Sequence, residues 1–242
     1  MTRENETFSP FPATRWSLIV SSSENREAVM NELCQLYWRP LYTFARRTGL
    51  SIEDAEDITQ RFFQDLMQEQ SSLLADANPA GGKLRTLFLR VLQRRISDHR
   101  RHQSRAKRGG GAVISLNTQE AEASLQIPSG DISPEAAFDR QWALSVLHLA
   151  LGRLEKDFNV AGRSTQFTAL TPFLGLGQDA GSYDELQQAL NITETAARQS
   201  VHRFRERFRR HLRAEIAETL AEPDEASIDH ELMELRAALS VP

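Results

Sequence analysis

The sequence predicts an all-α protein, with two small helical domains joined by a flexible linker and a helix-turn-helix in the second. Two observations carry this prediction. No run alternates apolar and polar residues with period two, whereas several runs repeat with helical spacing. The glycines, prolines and serines cluster between those runs, most densely over 109–133.

Residues 1–25 read as an irregular arm, with Pro10, Pro12 and a Ser21-Ser22-Ser23 turn around a short helix at 14–20. From about Glu24, Val29, Leu33, Leu36 and Tyr37 share one helical face. Pro40 has no amide proton and disfavours helix at Arg39, which predicts a break there. Leu41, Phe44 and Ala45 resume the pattern until Gly49. Ser51 can cap the next helix, whose acidic first turn suits the helix dipole. Its apolar face is Ala55, Ile58, Phe62 and Leu66. After a turn at 78–82, a long helix runs from Lys83 to about Lys107, with a buried stripe of Leu84, Phe88, Val91, Leu92 and Ile96. Gly109-Gly110-Gly111 ends it, so the first domain spans 26–108.

The linker, 109–133, has few large apolar residues, so little burial offsets the entropy of ordering it. Ser133 as cap and Pro134 at the first helical position start the second domain, 134–221. Phe138, Trp142, Val146, Ala150, Leu154 and Phe158 then recur every four residues. Further helices are expected at 164–174, 182–190 and 194–220. The tail, 222–242, holds Asp224, Glu225, Asp229, Glu231 and Glu234 against Arg236, and reads as a short amphipathic helix.

Composition excludes several function classes. Cys34 is the only cysteine, so an intramolecular disulfide and any multi-cysteine zinc or iron–sulfur site are excluded. The longest apolar stretch, 142–154, is interrupted by Ser145, His148, Gly152 and Arg153, and falls short of the ~20 residues that span a bilayer. The opening residues carry no apolar signal core, so a cytoplasmic location without membrane contact is expected. Arginines crowd both close histidine pairs, His99/His102 and His202/His211, which argues against a metal there. No cofactor is implied.

The net charge of −4 hides two basic islands: residues 83–108 sum to +9 and residues 198–213 to +6, leaving −19 for the other 200 residues. Two such islands in an acidic chain suggest two separate contacts with a polyanion. In the first, Lys83, Arg90, Arg94, Arg101 and Arg108 are offset by 7, 4, 7 and 7. They stack on one helix face opposite the apolar stripe, and Arg85 is a further candidate contact in the same island. A solvated face normally mixes signs, but the only acid in this island is Asp98. At ~1.5 Å per residue the helix is roughly 39 Å long, enough to cross a DNA duplex.

In the second island Tyr183, Leu186 and Leu190 form a short apolar face, Asn191-Ile192-Thr193 a tight turn, and Ala197, Val201, Phe204, Phe208 and Leu212 the core side of the next helix. This is the layout of a helix-turn-helix, whose second helix enters the major groove N-terminal end first. Thr195, Arg198, Gln199, Ser200, His202 and Arg203 then lie early, within reach of base edges. Arg207, Arg209 and Arg210 lie later, where phosphates are the expected partners. A third cluster, Glu53, Asp54, Glu56, Asp57 and Asp65, lies on the second helix. It has the three readings of a metal site, a solvated helix start and a protein-contact surface; no Glu-x-x-His pattern supports the first.

At this level of detail the chain resembles the bacterial RNA polymerase sigma factors of the extracytoplasmic-function (ECF) group of the sigma-70 family. Tyr37-Trp38-Arg39-Pro40-Leu41-Tyr42, and Glu53 through Gln60 followed by Phe62-Phe63, resemble the polymerase-docking helices. Lys83 through Leu89 and Ile96 through Arg101 resemble the strand-melting, minus-ten-reading helix. Tyr183 through Leu186, Ala189 through Thr193 and Val201 through Arg205 resemble the minus-thirty-five reader. The blocks occur in the family's order, over roughly 26–108 and 135–213. Asn191 takes a turn position where the family favours glycine; Asp157 through Gly181 is longer and richer in glycine; Thr195-Ala196-Ala197 replaces the usual start of the reading helix.

The resemblance implies a protein with no active site of its own, which binds core RNA polymerase and carries it to promoter DNA, with an anti-sigma factor as a further partner. It implies polymerase contacts at Asp54, Asp57, Gln60 and Phe63, minus-ten contacts on the first basic helix and minus-thirty-five contacts on the second. Phe88 and Trp142 read as core residues rather than base-stacking groups. A two-domain helix-turn-helix regulator that never joins polymerase is the alternative, and the two differ in whether the acidic helix needs a partner.

Overall fold

The computed structural model describes residues 26–67, 83–103, 132–176 and 181–240. The N-terminal arm, the turn at 78–82, nearly all of the 109–133 segment and Arg108 lie outside them. The fold is all-α. The helices are α1 (Arg26–Arg47), α2 (Ile52–Met67), α3 (Leu84–Gln103), α4 (Pro134–Val160), α5 (Ser164–Leu170), α6 (Tyr183–Leu190), α7 (Glu194–Ala217) and α8 (Glu225–Ser240). A 3₁₀ turn, Thr171–Leu174, follows α5. Among the described residues there is no strand, only an isolated antiparallel bridge between Lys83 and Leu220.

The chain divides into two compact units: Met1–Ser145 with Ile216–Pro242, and Val146–Glu215. The divisions fall inside α4 and α7, so the first unit is built from chain on both sides of the second.

In the first unit α1, α2 and α3 supply a core of Leu33, Leu36, Tyr37, Leu41, Phe62, Leu66, Leu84, Phe88 and Leu92, each at most 1% exposed. The rings meet edge to face, Tyr37 to Phe88 at 4.7 Å and Phe62 to Phe88 at 5.1 Å, the arrangement that aromatic quadrupoles favour. Contrary to the expected break, α1 runs through Pro40 without interruption. An interior proline costs about 3 kcal/mol. Pro40 is itself buried, and its neighbours Leu36, Tyr37 and Leu41 are almost wholly excluded from solvent. Burying each such side chain is worth roughly 1.5–3 kcal/mol, so packing outweighs the missing hydrogen bond.

Two smaller differences also have local causes. The expected helix at 164–174 divides into α5 and the 3₁₀ turn, with Pro172 at the start of the turn. Helix α7 stops at Ala217, and Thr219 then accepts the Leu84 amide at 3.2 Å. The acidic tail forms α8, a helix of 16 residues that buries Ile228, Glu231 and Leu235 in the first unit.

The contact that fixes α8 is ionic. Arg85 Nε donates to Glu231 Oε1 at 2.6 Å, Nη1 donates to Asp139 Oδ1 at 2.6 Å, and Nη2 pairs with Glu234. The guanidinium lies 4.7 Å above the Trp142 ring. Lys83 Nζ adds contacts to Glu231 at 2.6 Å and Glu234 at 2.7 Å. Burial works against the Arg85 charge, but the hydrogen bond and attraction from Glu231, aided by Asp139 and Glu234, hold its pKa above the ordinary arginine value. Asp139 is pushed up by its own burial, against the pull of Arg85. At Glu234 burial is outweighed by Lys83 and Arg85, and its pKa falls below the ordinary glutamate value.

The second unit closes around Ala150, Leu154, Phe158, Phe167, Leu170, Phe173, Leu186, Ala197, Val201, Phe204 and Phe208. Phe158, Phe167 and Phe204 form a mutual ring cluster with centroids 5.5 to 6.0 Å apart. Here too one carboxylate is buried: Glu215, 1% exposed, pairs with Arg153.

Two predictions follow from this packing. Glu231→Ala leaves Arg85 buried beside only its outer partners, and should destabilise the first unit by about 3–5 kcal/mol in urea unfolding, the cost of breaking a buried pair from one side. A change below 1 kcal/mol would mean that α8 is dispensable to the unit. Burial also pushes the Cys34 thiol up to about 11. The folded chain should therefore react with a thiol reagent at pH 8 far more slowly than the unfolded chain, and labelling at the unfolded rate would contradict the packing around α1.

Candidate nucleic-acid interface

Helix α3 sorts its cations by direction. Lys83 and Arg85 are taken up by the α8 carboxylates and Asp139. Arg95 turns inward to Asp65 at 2.5 Å and lies 5.9 Å from the Phe62 ring. Arg100 donates to the Thr48 carbonyl at 2.5 Å. Arg90, Arg94 and Arg101 are exposed. Their spacing of four and seven residues stacks them on one outward face. Arg101 holds Asp98 at 3.4 Å with both side chains largely in solvent, a contact too screened to remove it from a polyanion. The row expected from sequence is therefore shortened at its N-terminal end, because buried carboxylates claim Lys83 and Arg85 first. The buried positions of Phe88 and Trp142 make both core residues.

Helix α2 begins where Ser51 Oγ accepts the Asp54 amide at 3.1 Å. Ala55, Ile58, Thr59, Phe62, Phe63 and Leu66 face inward. Asp54, Asp57 and Gln60 are half-buried. Asp54 Oδ1 lies 3.1 Å from His99 Nε2 of α3, and Asp57 pairs with Arg61 at 3.0 Å. Phe63 is 7% exposed and meets Phe62 edge to face at 5.3 Å. Sequence reasoning passed over Ile52 and Met67, which leave 40% and 54% of their surface exposed at the two ends of α2. Both sit beside the apolar periodicity rather than in it. Among the described residues no three histidine, cysteine, aspartate or glutamate side chains gather where they could hold a metal ion.

The second unit carries the other set. Ser182 accepts the Glu185 amide and starts α6, and Leu186 anchors it in the core. Asn191 ends α6 in the left-handed region, φ 50 and ψ 53. Ile192 and Thr193 complete the turn, and the Thr193 hydroxyl accepts the Ala196 amide at 3.3 Å to open α7. Gly181, just before α6, is tightly placed: a Cβ there would meet the Phe173 ring at 2.6 Å.

Along α7, Ala197, Val201, Phe204 and Phe208 face the core. Thr195, Gln199, His202, Arg203 and Arg210 are exposed on the opposite side. Arg198 is drawn aside: it bonds Glu194 at 2.7 Å and lies 5.0 Å from the Tyr183 ring, and the Glu194 hydrogen bond leads the causes that raise its pKa. The half-buried Ser200 gives its hydroxyl to the Ala196 carbonyl at 2.8 Å. Arg205 donates twice to the Phe173 carbonyl, at 2.8 and 3.0 Å, and Arg209 pairs with Glu206. Arg207 is half-buried, 5.5 Å from the Phe158 ring.

A family model described as ECF sigma factor matches residues 19–214. No curated protein and no solved structure matches the chain. The match takes in α1 to most of α7 and stops short of α8.

The turn into α7 gives a direct test of this geometry. A left-handed residue with a Cβ costs roughly 1–2 kcal/mol, and asparagine lowers that cost by local hydrogen bonding. Asn191→Ala should therefore lower the melting temperature of the second unit, while Asn191→Gly should hold or raise it. An alanine variant as stable as the parent would mean that the turn has another conformation.

Proposed function

The chain belongs to the ECF sigma factor family, and from that premise we propose that it binds core RNA polymerase and directs it to promoter DNA. Its part in transcription initiation follows from the family; polymerase docking and the division of promoter contacts are the proposal. The observation that carries the reading is the exposed ridge Thr195, Gln199, His202, Arg203 and Arg210 on α7, immediately after a three-residue turn. A helix held by its opposite face against a closed core, with polar and basic residues at its free N-terminal end, suits the major groove. Gln199 and His202 present hydrogen-bonding edges there, and Arg210 suits a phosphate.

In the first unit the exposed arginines of α3 suit the minus-ten side: Arg90, Arg94 and Arg101 form a row of cations on a helix of 20 residues, roughly 30 Å long. The half-buried Asp54, Asp57 and Gln60 of α2, with the exposed Ile52 and Met67 at its ends, suit a protein partner, because a docking surface combines apolar contact with a polar rim. No helix among the described residues is long and apolar enough to cross a membrane. An anti-sigma factor is a further partner that the family admits.

The test is a pull-down with core polymerase followed by run-off transcription on genomic fragments. Promoter-dependent transcripts are expected only when the chain is added. Duplex binding without polymerase capture would instead identify a regulator that acts alone. Reversing the charge of Asp54 and Asp57 should weaken core binding while leaving duplex binding by the second unit intact. Unchanged affinity for core enzyme would remove α2 from the docking surface.

A further inference from the structure

The arginines of the second unit fall into two groups. On one flank of α7 every cation is engaged: Arg198 with Glu194, Arg205 with the Phe173 carbonyl, Arg209 with Glu206. On the other flank Arg203 and Arg207 have no carboxylate partner among the described residues, and neither has Arg163, which precedes α5. These three line one cleft of about 350 Å³, with Gln166 and Ser200 on its walls and Phe158 and Phe204 in its floor.

Three guanidinium groups around one small cleft repel each other, and exposure alone does not explain why acids are missing there in a chain of net charge −4. An oxyanion removes the repulsion. Arg163 and Arg203 are exposed and Arg207 is half-buried, so the cleft offers forked donors at its mouth and a cation deeper in. The Gln166 amide adds a neutral donor. The Ser200 hydroxyl already donates to Ala196, so it can only accept.

We propose that this cleft is a phosphate site that seats one backbone phosphate of duplex DNA beside α7. The inference rests on the reading of the second unit as a promoter-binding module. It adds Arg163, a residue that no sequence pattern marks, and it moves Arg203 from base reading to backbone holding. The cleft borders the exposed ridge at Arg203, so a phosphate held there fixes the register in which Thr195, Gln199 and His202 meet the base edges.

The experiment uses the full chain and a randomised duplex library at several salt concentrations. Arg163→Gln should weaken binding to every sequence by the same factor and make the log–log salt slope shallower by about 0.9, the signature of one lost phosphate contact. Arg163→Lys should restore the slope and part of the affinity. On a single strong duplex, replacing phosphates one at a time with neutral methylphosphonate should reveal one position whose effect disappears in Arg163→Gln. Arg163 is exposed, so the variant should fold, which its melting curve checks.

A wild-type chain that binds duplex while Arg163→Gln retains its affinity and slope would overturn the site and leave the promoter reading intact. A changed sequence preference would overturn it as well, by making Arg163 a base reader. If the wild-type chain binds no duplex, the promoter reading of the second unit fails. In that case, titration with inorganic phosphate that shifts the arginine side-chain signals in the parent and not in Arg163→Gln would assign the cleft to a free phosphate ligand, overturning the DNA assignment.

Discussion

One buried guanidinium constrains the first unit. Arg85 is 11% exposed, and its charge is compensated by Glu231, Glu234 and Asp139 while its flat face rests on Trp142. A buried ion pair contributes little net stability against an apolar alternative, because desolvation cancels most of the attraction. Its effect is on specificity. Once Arg85 is inside, only an arrangement that delivers carboxylates to all sides of it is tolerable, and those carboxylates come from α4 and α8. The start of α3, the start of α4 and the whole of α8 are thereby fixed to one another.

The same constraint decides which cations remain for a partner. A count of basic residues treats Lys83, Arg85, Arg90, Arg94 and Arg95 alike, but the fold does not. Glu231 and Glu234 claim the first two, and Asp65 the last. In the second unit Glu194, Glu206 and the Phe173 carbonyl make a similar selection along α7. Each basic island therefore works through a subset of its charge. In the absence of a partner, the internal acids hold the remaining cations in place instead of leaving them to mutual repulsion.

Much of this was legible in the sequence. The four-residue recurrence from Phe138 to Phe158 marked buried positions of α4, Ser133 and Pro134 marked its start, and Asn191 marked the left-handed turn before α7. Patterns of this kind are local, and periodicity or cap chemistry reveals them. The continuation of α1 through Pro40 was not legible, because it depends on how tightly Leu36, Tyr37 and Leu41 pack against distant elements. Nor was the destination of Arg85, whose partner Glu231 stands 146 residues away. Glu231 lay in what looked like a uniformly acidic tail, and charge alone does not distinguish a buried glutamate from a solvated one.

The order in which the chain is made gives α8 a temporal meaning. A polypeptide leaves the ribosome N-terminus first, at about 5–20 residues per second, and its units fold as they become complete. The second unit is contiguous and can close as soon as Glu215 has emerged. The first unit cannot: Arg85 emerges early and waits for a glutamate made 146 residues later, a delay of about 7–30 s at that rate. During this interval the Arg85 guanidinium lacks the two glutamates that compensate its charge in the folded unit. The nascent chain therefore carries a finished second unit before the first is finished, and the emergence of α8 is the event that completes the first unit.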